Sequence, residues 1–161
     1  VSLQIRPAEA GDAATIVRLI RDLADYERLL HEVRITEADL TAALFCETPR
    51  VFCDIARWNG EPVGLALWFY TFSTFVGRHG IWLEDLFVEP DKRGLGIGKA
   101  LLTGLAERCV AEGLGRLEWS VLDWNAPSIA FYESLGARPM SDWTTYRLAD
   151  DALASVGRKG V

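Results

Sequence analysis

Arg93-Gly94-Leu95-Gly96-Ile97-Gly98-Lys99 is the stretch on which the fold turns. Just before it, Ile81-Trp82-Leu83-Glu84-Asp85-Leu86-Phe87-Val88 is mostly apolar and stops at Pro90, which predicts a strand. Just after it, residues 99–112 predict a helix. Glycines between a strand and a helix let successive main-chain N–H groups point into one concavity, at the positive end of the helix dipole. A pyrophosphate is the natural guest. Side chains at these positions would block its approach and disfavour the φ values required.

The spacing excludes two phosphate-binding motifs. A P-loop needs G-x-x-x-x-G-K-[ST]; here the spacing is one residue short, and Ala100 stands where a magnesium-binding hydroxyl is needed. The dinucleotide fingerprint needs G-x-G-x-x-G, whereas the loop runs G-x-G-x-G and comes late in the chain.

Working outward, residues 3–6 alternate apolar and polar up to Pro7 and predict a first strand. Asp12 is placed to cap a helix with the stripe Ile16, Leu19, Ile20, Leu23 and Leu30. Thr36 caps a second, with Leu40, Leu44 and Phe45 inward. Residues 51–56 and 62–72 flank Asn59-Gly60, a two-residue hairpin signal because both positions tolerate positive φ. Past the glycine loop, residues 117–122 predict a strand, 126–135 a short helix and 143–148 a last strand, with 152–161 a loose tail. The fold class is α/β: residues 1–161 form one domain, a mixed and mostly antiparallel sheet flanked by helices.

Composition narrows the function. Half of the 161 residues are apolar and the net charge is −6, which argues against nucleic-acid binding, since phosphate backbones require a basic face. No apolar run is long enough to span a bilayer and the N-terminal residues lack signal-peptide architecture, so no membrane partner is expected. Cys46, Cys53 and Cys109, an odd number without a C-x-x-C pair, fit reduced thiols in a cytoplasm rather than disulfides or zinc. His31 and His79 stand at no metal-ligating spacing, and no metal is expected.

Arg93, Gly96 and Gly98 supply R-x-x-G-x-G, which resembles the acetyl-CoA pyrophosphate loop of the GNAT superfamily of N-acetyltransferases. Two further stretches, residues 82–88 and Trp124-Asn125-Ala126-Pro127-Ser128-Ile129-Ala130-Phe131-Tyr132-Glu133-Ser134-Leu135-Gly136-Ala137, resemble its spermidine/spermine (diamine) N-acetyltransferase branch. Ile5-Arg6-Pro7-Ala8 and Leu23-Ala24-Asp25-Tyr26-Glu27 are similar to the same family's N-terminal region.

The resemblance implies a direct acetyl transfer from acetyl-CoA to a primary amine of a small cationic molecule, by a homodimer. It assigns the pantetheine arm to the backbone of Leu86, Phe87 and Val88, and the pyrophosphate to the N–H groups of Arg93, Gly94, Leu95, Gly96, Ile97, Gly98 and Lys99. Asn125 and Ser128 are implied as further cofactor contacts, and Tyr26, Glu27, Glu84 and Asp85 as substrate contacts. A strand distortion near Phe87 or Val88 is implied to free an N–H for the oxyanion.

Glu84 is the implied proton acceptor and Tyr132 the general acid. The chemistry needs both roles. An alkylammonium has a pKa of about 10.4, so only roughly one molecule in 2,500 is a free amine at pH 7. A carboxylate binds the ammonium and then takes its proton. The departing thiolate requires a donor, and a tyrosine hydroxyl in a dry site can be one.

Ser73-Thr74-Phe75-Val76 carries no carboxylate, where polyamine-acetylating relatives have one. The acceptor is therefore left open between a polyamine, another diamine, a thialysine- or lysine-like amino acid and an amino sugar. Acetylation of a protein or peptide, and a non-catalytic acyl-CoA-binding regulatory module, are the alternatives.

Overall fold

The computed structural model describes residues 2–158, which fall into two units, one up to Leu122 and one from Asp123. In the first unit, strands β1 (Leu3–Pro7), β2 (Phe52–Trp58), β3 (Glu61–Ser73) and β4 (Arg78–Val88) form an antiparallel meander. Strand β5 (Leu117–Glu118) then joins β4 in parallel, so the sheet order is β1-β2-β3-β4-β5. The parallel step needs a crossover, and helix α3 (Ile97–Glu112) supplies it. The hairpin at Asn59-Gly60 forms as expected, with φ of 50° and 88°.

Helices α1 (Ala13–Tyr26) and α2 (Glu37–Leu44) cover one face. There Ile16, Leu19, Leu40 and Leu44 pack with Cys53, Ile55, Leu65, Leu67 and Phe87 in one buried cluster. Each large apolar side chain so buried contributes about 1.5–3 kcal/mol. Helix α3 covers the other face, where the Arg108 guanidinium lies 5.0 Å from the Trp68 ring centroid. Trp68 donates its indole N–H to Asp54 at 3.2 Å.

Several local expectations need correction. Helix α1 ends at Tyr26, so Leu30 lies in a separate 3-10 turn and not on its stripe. Asp12 stands at the N-cap without capping; its carboxylate instead holds Arg6 at 2.7 and 3.1 Å, the stronger charge-assisted partner. Helix α3 starts at Ile97, not Lys99. The strand expected over 117–122 is only Leu117–Glu118.

The second unit contains helix α4 (Ala126–Ser134) and helix α5 (Asp150–Gly157). Residues 143–148, expected to be a strand, are not one. Alternation makes a strand only where a ladder receives it, and no strand occurs among the described residues of this unit. The tail expected to be loose from 152 is helical to Gly157, with every described side chain exposed. Residues 159–161 of that tail lie outside the described residues.

Candidate active site

The two ends of β4 differ. Its first half is paired on both sides, with β3 and, at Ile81 and Trp82, with β5. Then Leu67 pairs with Asp85 while Trp68 pairs with Leu83, so Glu84 is an extra residue, a β-bulge. Bulges bend a strand and end pairing. Beyond it, among the described residues, 84–88 have no strand partner on the β5 side. The distortion therefore lies at Glu84, not near Phe87 or Val88.

Which backbone groups does the open edge offer? Glu89 N–H donates to Val63 C=O, so Val88 and Gly64 are a non-hydrogen-bonded pair. Alternation then turns the N–H and C=O of Val88 and Leu86 toward the open side and those of Phe87 into the β3 ladder. Phe87 is thus not an edge donor, and its side chain is core. The Val88 carbonyl is already occupied, accepting from Arg93 Nε at 3.0 Å.

The glycine loop follows directly, after a 3-10 turn at Pro90–Lys92. Gly94 and Gly96 have φ of 79° and 81°, the left-handed region that other residues enter at a cost. A Cβ on either would meet nothing within 4 Å, so conformation and not crowding demands glycine there. Among the described residues, no main-chain N–H from 94 to 99 donates to a main-chain carbonyl; the first to do so is Ala100, to Gly96 at 2.9 Å. These amides form the N-terminal end of a 16-residue helix, where anions are favoured. The donor set fits a diphosphate.

The Arg93 side chain is exposed yet lies against its neighbours, its guanidinium 4.7 Å from the Tyr26 ring centroid and 5.5 Å from that of Phe87. It ties the end of α1 to the end of β4. Sequence reasoning gave Arg93 only a backbone role.

The bulge also sets the chemistry of the acceptor side. Asp85 pairs with Leu67 and so points to the α1 face, with Cys53 and Leu67. Trp82, paired with Phe69, points to that face too, and its indole N–H donates to Glu84 Oε2 at 2.9 Å. Two consecutive carboxyls therefore share one face. Glu84 is exposed; Asp85 is half-buried. Burial, then the charges of Glu84 and Glu27, push the Asp85 carboxyl up to about 7. Burial also raises Glu27, at the C-terminal cap of α1. The Cys53 thiol is pushed well up by burial, which makes it a packing group and not a nucleophile. Trp82 thereby orients Glu84.

In the second unit, Asn125 is buried and caps α4, its Oδ1 accepting from the Ser128 N–H at 3.4 Å. Pro127 sits in the first turn, where its missing N–H costs nothing. Tyr132 lies on this helix, half-buried, with its ring 5.5 Å from that of Phe131. Among the described residues, no group of three side chains could hold a metal ion, and no helix is long and apolar enough to cross a membrane.

A family model described as the acetyltransferase (GNAT) family matches residues 17–137. The thialysine N-epsilon-acetyltransferase of Bos taurus is 38% identical over 98% of both chains. A spermidine/spermine N(1)-acetyltransferase-like protein 1 of Homo sapiens is 34% identical over 95% of this chain and 23% of its own length. An integron cassette protein of V. cholerae shares the fold at a TM-score of 0.81, with 24% identity over 98% of this chain and 99% of that one. With a family model spanning most of its length and a relative matched almost end to end, this chain belongs to the acetyltransferase (GNAT) family and is an acyltransferase.

Proposed function

We propose that the protein transfers acetyl from acetyl-CoA directly to the side-chain primary amine of a small cationic amino acid of the lysine or thialysine kind. The observation that carries this reading is the open edge of β4 running into a loop of unpaired amides, 94–99. In it the loop holds the diphosphate. The pantetheine arm adds to the edge as a strand would, pairing with Leu86 and with the Val88 N–H. The resemblance adds Asn125 and Ser128 as further cofactor contacts. The preference for an amino acid over a polyamine rests on the near-full-length thialysine relative and on the absence of a carboxylate from residues 73–76.

The acceptor arrives as an ammonium. Glu27, Glu84 and Asp85, with Tyr26 beside them, bind it, and the carboxyl pair Glu84/Asp85 takes its proton. The free amine attacks the thioester carbonyl carbon, the C–S bond breaks, and Tyr132 passes a proton to the leaving thiolate. The resemblance further supports a cytoplasmic homodimer, and a solution mass of two chains checks the second half of that statement.

Release of free thiol from acetyl-CoA, measured with thialysine, lysine, ornithine, spermidine, an amino sugar and a peptide, tests the reading. Turnover is expected to be highest on the first three. Tyr132→Phe is expected to lower kcat by about 10²–10⁴-fold with acetyl-CoA affinity retained. Fastest turnover on the peptide would make this a protein acetyltransferase; tight coenzyme binding without turnover on any amine would make it a binding module.

A further inference from the structure

Within that proposed reaction, the resemblance gives the proton to Glu84, but the geometry of the bulge divides the work differently. Glu84 is exposed, and its carboxylate is held by the Trp82 indole N–H. Asp85, next in the chain and on the same face, is half-buried. The groups facing it are Cys53 from β2, Leu67 from β3, Glu84 from its own strand and Glu27 from the end of α1. The charges acting on it are the carboxylates of Glu84 and Glu27; Arg93 is engaged by Tyr26, Phe87 and the Val88 carbonyl.

We propose that Asp85 is the group that accepts the substrate proton, and that Glu84, placed on the same face by the bulge, is the fixed anion that draws in the ammonium. An N–H bond of the ammonium breaks as an O–H bond forms on Asp85, leaving the nitrogen lone pair free to attack the thioester carbon. The second nitrogen proton replaces the one that Tyr132 gives to the departing sulfur, and Asp85 returns its proton to solvent after the amide leaves. With an acceptor near pH 7, transfer from an amine of pKa about 10.4 is uphill by about three powers of ten, against about six for an ordinary carboxylate. The bulge is what makes this possible. Strict alternation would put Glu84 and Asp85 on opposite faces, and only one of them would reach the substrate.

The test is the pH dependence of kcat/KM, which reports groups of the free enzyme. Wild type is expected to lose activity below about pH 7. Asp85→Asn is expected to lose about 10²–10⁴-fold on an alkylamine and to show no such acidic limb. On an acceptor whose amine has a pKa below 7, already neutral, the same variant is expected to lose less than about tenfold. Glu84→Gln is expected to keep the limb and move it to lower pH, because the charge that raises Asp85 is gone. A limb that survives in Asp85→Asn, or that vanishes in Glu84→Gln, overturns the assignment while leaving the acetyl-transfer reading intact. Absence of thiol release from wild type with every amine overturns both.

Discussion

The two halves of β4 are built to opposite purposes. Residues 78–83 are held between β3 and β5 and carry Ile81 and Leu83 into the core. Residues 84–88 keep their ladder to β3 but leave their other edge open, with two carboxyls forced to one side. The first half is stabilised by what it pairs with. The second is functional because of what it lacks, and both its open main chain and its half-buried acid lower stability.

The largest expected effect comes from closing the space on which the open half rests. A Cβ at Gly64 would lie 2.6 Å from the Phe87 carbonyl oxygen, a main-chain atom that moves only if β4 moves. Gly64→Val is expected to destabilise by more than about 3 kcal/mol in urea unfolding and to abolish acetyl-CoA binding.

Removing the half-buried acid is expected to act in the opposite direction. A carboxyl raised by folding favours the protonated native state. Its contribution is therefore most favourable below about pH 4, declines as pH rises toward about 7, and is flat above that. Asp85→Asn should then stabilise the fold at pH 8 by about 2–4 kcal/mol and by nothing near pH 3, read from denaturation midpoints at the two pH values. A variant that is inactive yet more stable would display the trade between the halves; equal stability at pH 8 would remove the electrostatic part of the contrast.

In the paired half the counterpart of Gly64 is Gly80, whose Cβ would lie 2.7 Å from the Arg116 carbonyl oxygen at the start of β5. Gly80→Ala is expected to destabilise by about 1–3 kcal/mol while leaving the KM for acetyl-CoA within about twofold. A large KM change would mean that the halves are not separable. The smallest effect is expected at the loop. Gly96→Ala has open space but a φ of 81°, so it should destabilise by about 1 kcal/mol and raise that KM several-fold.

Much of this was legible in the chain itself. The alternation from Arg93 to Lys99 between an apolar strand and a helix announced the phosphate cradle, and Asn59-Gly60 the meander that precedes it. Asn125, three residues before Ser128, announced the cap of α4. The bulge was not announced, although one sign was present. Two adjacent acids in Leu83-Glu84-Asp85-Leu86 cannot both avoid the core in a regular strand. Residues 143–148 misled in the other direction, because alternation there had no ladder to join.

The sequence by itself determined the order of elements, the glycine cradle and the residue types around it, because φ preference, capping and apolar periodicity act within a few residues. Only the tertiary structure decided that Glu84 is the extra residue, that Leu86 and Val88 rather than Phe87 face the open edge, and that Asp85 is the less exposed member of the carboxyl pair. Those outcomes depend on the register between β3 and β4 and on what α1 lays over it. Register is a property of two strands together, and burial of everything packed around a residue.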